Sequence, residues 1–450
     1  RLFLRDAHPD ILLCVFLCNV KELIMDIVNQ VCAGLDVHKQ SVSVCLRKVS
    51  ADGQASSMVR EFSTMTEGIL QMGDWMAGQG VKRVAMESTG VYWKPIWNLL
   101  EDRFELMLCN ARDVKNVPGR KTDTKDCQWL AQLLQYGLLS ASFIPPRPQR
   151  ELRDLTRHRA QLSGEHTRVA NRIAKTLEDA NIKLGSVASD ILGKSGRLML
   201  EALIAGQTDP EQLADLAQRK MRGKIPELKK ALFGHVNEHH RFMLQMLFDH
   251  LTYLEKGIDD LEHRIQQVMS SDSLNKAPKE NDALPFDQAV ALLVTIPGVD
   301  ECTATAVLAE TGTDMKQFPS SGHLASWAGV CPGNNESAGK RKSGKTTHGN
   351  RWLKRALSQA AWAASHTKNT YLNAQYHRIA RRRGKKRAVV ALSHTLLTII
   401  YHMLDQQVAY RELGQDYLDT IDPKSRLRYH TKQIEKLGFK VTLETPDMAA

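Results

Sequence analysis

The sequence has no C-x-x-C pair. Its eight cysteines (Cys14, Cys18, Cys32, Cys45, Cys109, Cys127, Cys302 and Cys331) are scattered over 450 residues. That excludes a zinc ribbon and a thioredoxin-type redox site. In a chain of this size they read as reduced thiols of a cytosolic protein. Long apolar runs are also scarce. The strongest, residues 11–16, extends loosely to Val20 and is too short to span a bilayer. No small-residue cleavage site follows it, which counts against a secretory signal. The chain starts at Arg1, and Met25 is a sensible start. Residues 1–24 therefore read as a non-domain leader, from upstream translation or as an expression remnant. Acids are in deficit: 50 Asp and Glu stand against 61 Lys and Arg, a net charge of +11. This favours a polyanionic partner, either nucleic acid or an anionic membrane surface. A charged fraction of 25% and a hydrophobic fraction of 42% describe a globular protein. The length suggests about two to four domains.

Residues 31–47 carry two strand signals. Cys32-Ala-Gly-Leu-Asp-Val is a short apolar run with one carboxylate near its end. Residues 41–46 alternate with a period of two, as a half-buried strand does. A third strand fits 57–63, after the Asp52-Gly53 turn, and a helix fits 66–78. Residues 81–86 form a buried-strand run that leads to Glu87. Helix is expected over 92–102, strand over 104–110 and helix over 123–139. The order β-β-β-α-β-α-β-α is that of a ribonuclease-H-like α/β domain, assigned to residues 25–147.

The Phe143-Ile-Pro-Pro-Arg-Pro stretch breaks the chain. A helical spacer follows, assigned to 148–285. Leu244, Leu247, Leu251, Leu254, Ile258, Leu261, Ile265 and Val268 repeat with alternating spacings of 3 and 4, a coiled-coil a/d seam. Leu155, Leu162, Val169, Ile173 and Leu177 form a shorter seam. Spacing alone does not separate an intramolecular hairpin from a dimerisation arm. Residues 271–282 are polar and read as a loop. A mainly helical C-terminal domain is assigned to 286–410. In it, a helix through Leu292, the Ile296-Pro-Gly298 turn and a helix over 303–310 make a helix-hairpin-helix pattern. Such a turn can aim N–H groups at a phosphate.

Residues 331–387 hold 15 Lys and Arg against one acid, Glu336, for a local charge of +14. With Trp327 and Trp352 nearby, this window reads as a phosphate-binding surface rather than a solvated face. Its candidate contacts are Lys340, Arg341, Lys342, Lys345, Arg351, Lys354, Arg355, Arg381, Arg382, Arg383, Lys385, Lys386 and Arg387. Residues 411–450 read as a tail without assigned function.

Four carboxylates stand where a metal site would want them: Asp36 near the end of the first strand, Glu87 after the fourth, and Asp123 and Asp126 at a helix start. The last two are three apart and so share a helix face. Four crowded carboxylates repel one another and need cations. Two Mg²⁺ ions about 4 Å apart would neutralise them and clamp a phosphodiester for in-line displacement. Lys121 and Lys125 could hold the DNA backbone. Each acid alone is more simply structural, and Asp123 could cap its helix. Asp113 reads as a turn residue. His38 and Lys39 are either phosphate contacts or solvated surface.

Gly34-Leu-Asp-Val-His-Lys39, Met86-Glu-Ser-Thr-Gly-Val-Tyr-Trp93 and Lys121-Thr-Asp-Thr-Lys-Asp126 resemble the N-terminal domain of the IS110 family of bacterial insertion-sequence transposases. Ile296-Pro-Gly298, Ser326-Trp-Ala-Gly-Val-Cys-Pro332, Asn335-Glu-Ser-Ala-Gly-Lys340 and His348-Gly-Asn-Arg351 resemble its C-terminal domain. The longer spacer is similar to that of the IS1111 group, and the likeness spans about residues 25–410. The resemblance implies a resolvase-like (RuvC-like) DEDD domain, whose carboxylates fall on Asp36, Glu87, Asp123 and Asp126, with Mg²⁺ as cofactor. It implies a catalytic serine, which falls on Ser337, with Ser343 as the alternative register. From the residues alone Ser337 is a turn residue in a Gly-rich loop. The resemblance further implies a bridge RNA that pairs with donor and target DNA, a dimer or tetramer with a composite site, and a bacterial cytoplasmic, nucleoid-associated protein. The function expected is serine-mediated cutting and rejoining of double-stranded DNA. The alternatives are a metal-dependent junction-resolving nuclease that uses water, and a catalytically idle nucleic-acid-binding protein.

Overall fold

The computed structural model describes residues 27–443, apart from 51–53, 89, 112–113, 115–125, 276–282, 334 and 422. The leader, together with Lys121, Asp123, Lys125 and Asp113, lies outside the described residues. The chain divides into two compact units, Arg1–Ile144 and Pro145–Ala450.

The first unit is built on a five-stranded mixed sheet, compatible with a ribonuclease-H-like domain. Its elements are β1 (Val31–Val37), β2 (Ser41–Val49), β3 (Ala55–Ser63), α1 (Thr66–Gly78), β4 (Arg83–Glu87), α2 (Trp93–Leu100), β5 (Glu105–Cys109) and α3 (Asp126–Gln135). The strand order is β3-β2-β1-β4-β5. The β1–β2 and β2–β3 pairs are antiparallel, and β1–β4 and β4–β5 are parallel. Side chains alternate across the pleat. Leu35, Val37, Val44, Val84 and Met86 therefore enter one core with Ile69, Met72 and Ile96 of α1 and α2. Cys32 and Ala85 face the other way, toward Trp129, Leu130 and Leu133 of α3. Burial on both faces explains why β1 reads as a near-continuous apolar run.

The second unit starts with a 33-residue helix, α4 (Arg147–Asp179). Four short helices follow: α5 (Leu184–Val187), α6 (Lys194–Ile204), α7 (Pro210–Asp215) and α8 (Ile225–Ala231). A 32-residue helix, α9 (Glu238–Met269), then runs back along α4. The pairs Arg159–Glu262, His166–Glu255 and His240–Asp179 fix the antiparallel direction. Leu244, Leu247, Leu251 and Leu254 pack with Val169, Ile173 and Leu177 and with the short helices. These seam positions thus meet inside one chain. Ile265 is buried farther along α9, while Ile258, Leu261 and Val268 are only half-buried.

Beyond α10 (Asp272–Asn275) the chain forms α11 (Phe286–Leu293), α12 (Glu301–Thr311) and α13 (Ser321–Ala328). A hairpin of β6 (Asn335–Ser337) and β7 (Lys340–Ser343) leads to α14 (Arg351–Ala364), α15 (Tyr371–Arg383) and α16 (Lys385–Gln406). Then come α17 (Tyr417–Ile421) and α18 (Pro423–Glu435). Asp300 caps α12 by accepting from the Thr303 N–H at 2.8 Å. Gly298 has φ of +87°, and an added Cβ would lie 2.4 Å from the Ala364 nitrogen. The Pro-Gly turn therefore uses its glycine to seat against α14.

Among the described residues, α16 has a mean hydropathy of 1.4 over a window long enough to span a membrane. Polar residues such as Ser393 and Thr395 interrupt it and hide it from a search for unbroken runs. Half of that window is buried in the protein, with Leu392, Leu396, Leu397 and Ile400 in the core.

Candidate active site

The register of the sheet brings two of the four candidate carboxylates together. Parallel pairing of β1 and β4 runs from Cys32–Arg83 to Leu35–Met86. The next residues are Asp36 and Glu87. They end adjacent strands side by side, with Cα atoms about 5 Å apart. Asp36 shares its face with Cys32 and Gly34, and Glu87 shares its face with Ala85. That is the face covered by α3.

Helix α3 brings a third acid toward the same end. A Cβ on Gly34 would lie 2.5 Å from the Cys127 carbonyl oxygen and 2.4 Å from the Ala131 nitrogen. The Cys32 thiol donates to the Ala131 carbonyl at 3.5 Å. Farther on, the Gln135 carbonyl accepts from the N–H groups of Val28 and Asn29 at 3.0 and 3.1 Å. Helix α3 thus runs antiparallel to β1. Its first residue, Asp126, lies at the strand end that carries Asp36. A carboxylate there also suits the positive helix N-terminus.

The donors in this set are carboxylate oxygens, which suit a hard divalent cation. Among the described residues, no three His, Cys, Asp or Glu side chains are grouped closely enough to hold an ion. One Asp36 oxygen lies 3.2 Å from His38 Nε2, so His38 faces the acid. Burial pushes the Cys32 thiol up to about 11 and Cys45 to about 12, so both stay neutral in the wall behind the site.

In the second unit, Ser337 ends β6, opposite Lys340. Ala338 and Gly339 form the two-residue turn, with φ of 50° and 73°. Both values are positive, as a type I′ hairpin requires. For Ala338 this left-handed conformation costs about 1–2 kcal/mol. Ser343 stands at the open end of the hairpin, paired with Asn335. Its hydroxyl accepts from the Lys345 N–H at 3.2 Å.

The basic residues divide into two kinds. Arg381, Arg382 and Arg383 close α15, and Lys385, Lys386 and Arg387 open α16, with Gly384 between them. All six are exposed. Cations at a helix start oppose the helix dipole, at about 0.3–1 kcal/mol each. A polyanion bound there would offset that cost. Lys340 and Lys345 are exposed on and beside the hairpin, and Arg341 and Lys342 lie on β7. Arg351 is exposed, with its guanidinium over the Trp352 ring at 4.6 Å. Two others are engaged internally: Lys354 donates to the Thr346 hydroxyl at 2.7 Å, and Arg355 to the Ala160 carbonyl at 2.7 Å.

The sequence reading missed Glu310. Its side chain is 2% exposed, and it accepts from Arg157 Nε and Nη2 at 2.6 and 2.8 Å and from the Asn350 amide at 2.6 Å. The available signal was a lone acid inside the apolar run Ala-Val-Leu-Ala-Glu-Thr.

Comparison with known proteins gives a consistent picture. A DEDD-type IS110 transposase model matches residues 33–182, and the model for transposases of the IS116/IS110/IS902 family matches 290–377. The chain belongs to the IS110 family of transposases. It is 27% identical over 316 residues to a 43.6 kDa protein of insertion element IS110 from Streptomyces coelicolor, covering 65% of this chain and 73% of that one. It is 25% identical over 305 residues to the transposase of insertion sequence IS1111A from Coxiella burnetii, covering 66% and 70%. It is 29% identical over 161 residues to a pilin gene-inverting protein of Moraxella bovis, covering 35% and 46%. The transposase is therefore an enzyme of DNA transposition and recombination. Its DEDD-type match points to dependence on a divalent metal.

Proposed function

We propose that this transposase cuts and rejoins DNA through Ser337, assisted by two Mg²⁺ ions held by Asp36, Glu87, Asp123 and Asp126. The observation that carries the metal half of the reading is the in-register pair Asp36 and Glu87, with α3 starting at the same strand ends. Ser337 is supported by its place beside a strained hairpin turn within the +14 segment. Strain of this kind gathers at functional loops.

The bound metal would polarise the phosphate and stabilise its developing charge. The Ser337 Oγ attacks phosphorus, and its proton passes to solvent. The Oγ–P bond forms as the P–O bond to the departing deoxyribose oxygen breaks. The departing oxygen leaves as a hydroxyl once protonated by solvent. The phosphoserine ester retains the bond energy, so attack by a second deoxyribose hydroxyl rejoins DNA and releases the serine. The exposed cations on α15 and α16 grip phosphates without reading sequence. That suits a homo-oligomer guided by a noncoding bridge RNA, where base pairing supplies the specificity.

A covalent-trapping assay tests the reading. Protein, flanking-element RNA, Mg²⁺ and end-labelled donor duplex are mixed and resolved on a denaturing gel. The expected result is a protein–DNA adduct that is lost in both Ser337→Ala and Asp126→Ala. An adduct that survives Ser337→Ala would move the nucleophile to another residue. Free cleaved DNA without adduct would replace recombination by hydrolysis with water.

A further inference from the structure

Glu310 sits where three parts of the second unit meet. Helix α4 approaches the C-terminal end of α12 with three side chains. Gln149 donates to the carbonyls of Leu308 and Ala309, at 3.4 and 3.2 Å. Arg153 donates to the carbonyls of Ala309 and Glu310, at 3.0 and 2.7 Å. Arg157 forms a two-point bond with the Glu310 carboxylate. From the other side, the Asn350 amide donates to that carboxylate at 2.6 Å. A buried ion pair is an uncertain source of stability, because hydrophobic residues of similar volume often serve as well. Burial is strong enough here to push Arg153 down to about 10, even beside Glu310. What the arrangement does supply is direction, because a two-point guanidinium bond fixes orientation as well as distance.

Asn350 passes that direction on. Its side-chain oxygen caps α14 by accepting from the N–H groups of Trp352 and Leu353, at 3.0 and 3.2 Å. Its own N–H donates to the Trp327 carbonyl at 3.2 Å. Just before it, a Cβ on Gly349 would lie 2.3 Å from the Gly329 nitrogen, so the two chain segments touch backbone to backbone. One step earlier, Thr346 bridges Pro332, and the Gly333 N–H donates to the Lys345 carbonyl at 2.8 Å. The base of the β6–β7 hairpin is thus held to the same segment that ends at Asn350.

We propose that Glu310 is a positioning residue. Through Asn350 it couples the long helix α4 to the hairpin that carries Ser337. The proposal rests on the reading of that hairpin as the reaction loop. A cavity of about 680 Å³ borders the network between α4, α9, α12 and α14, with Arg157, Glu310 and Trp352 in its wall.

The test exchanges donor and acceptor across the tie in the full-length protein. Asn350→Asp keeps an equally good helix cap but sets a carboxylate against Glu310. Glu310→Gln sets two amides against each other. The double variant restores a donor and an acceptor between these two side chains, and gives up the Arg157 Nη2 bond to the same Glu310 oxygen. Asn350→Ser keeps a cap and adds no charge, so it stands in if the Asp variant fails to fold. Adduct formation is measured in single turnover at saturating DNA, beside DNA affinity and thermal melting. Each single variant should slow the reaction about tenfold or more, with affinity changed less than about twofold, because small misplacements at a reacting centre cost far more rate than binding. The double variant should react faster than either single variant, because only the Arg157 Nη2 bond stays lost. A wild-type rate in Asn350→Ser or Asn350→Asp overturns the proposal. So does a double variant as slow as its slower parent. Ser337→Ala is run alongside. If its adduct persists, the serine assignment falls, and the tie is still judged by the same rates because Ser343 lies on the same hairpin. If only hydrolysed product forms, unchanged cleavage in the variants overturns the tie as well.

Discussion

Replacing Gly34 with alanine should lever α3 off the sheet. The added Cβ would stand 2.4 Å from the Ala131 nitrogen, 2.5 Å from the Cys127 carbonyl oxygen and 3.0 Å from the Ala131 Cα. Ordinary contact begins near 3.4 Å. All three are backbone atoms, so no rotamer change relieves the clash, and the helix must retreat by about 1 Å from a close-packed interior. Overpacking of this kind costs about 1–3 kcal/mol, and a rigid backbone target argues for the upper end. For a unit of this size that lowers the melting temperature by about 5–10 °C. Asp126 retreats with the helix, and a displacement of about 1 Å at a reacting centre can cost about a hundredfold in rate. The assay pairs thermal melting with the rate of Mg²⁺-dependent adduct formation. Gly78→Ala is the control, because a Cβ there meets nothing within 4 Å. A Gly34→Ala protein that melts within about 2 °C of the parent and reacts at the parental rate would refute the placement of α3 against β1.

Three further outcomes are expected. Burial raises the Cys45 thiol from 9.0 to about 12, so the unfolded chain loses this proton first as pH rises. The stability contribution is complete below pH 9 and falls away toward pH 12, and Cys45→Ala should flatten the alkaline decline of the melting temperature; an identical decline in the variant would count against it. Removing Arg382 and Lys386 together should make the slope of log affinity against log salt shallower by about two, at roughly one per phosphate contact. An unchanged slope would take α15 and α16 out of the nucleic-acid surface. Leu251 is fully buried between α9 and α4, so Leu251→Ala should cost about 2–5 kcal/mol in urea unfolding. A loss below about 1 kcal/mol would mean that the two long helices do not share this core.

Much of the first unit was legible because its signals are local. A period of two marks a half-buried strand, and a short unbroken apolar run marks a strand buried on both faces. Hence the order β-β-β-α-β-α-β-α and the limits of α1 at Thr66 and Gly78 both match the sequence expectation. The carboxylates at the ends of β1 and β4 were legible as residue types at element ends. Their convergence was expected from the ribonuclease-H-like order, in which the first and fourth strands are neighbours, but their exact alignment was not. It depends on the register Leu35–Met86, which hydrogen bonds between distant segments decide. In the second unit the leucine seam on α9 could be read from its spacing, but spacing is silent on what covers it. The structure closes it against α4 and the four short helices. Helix α16 escaped notice because its apolar residues are interrupted along the chain, although they gather on a face once it coils. Glu310 is the clearest limit. A single acid in an apolar helix has no partner in sequence, because Arg157 and Asn350 lie 153 and 40 residues away. The sequence by itself determined the elements, the polarity of their faces and the kinds of reactive group at their ends, since these follow from short-range periodicity. The tertiary structure alone decided which groups meet, since charge pairing, register and close packing act between segments that the chain keeps far apart.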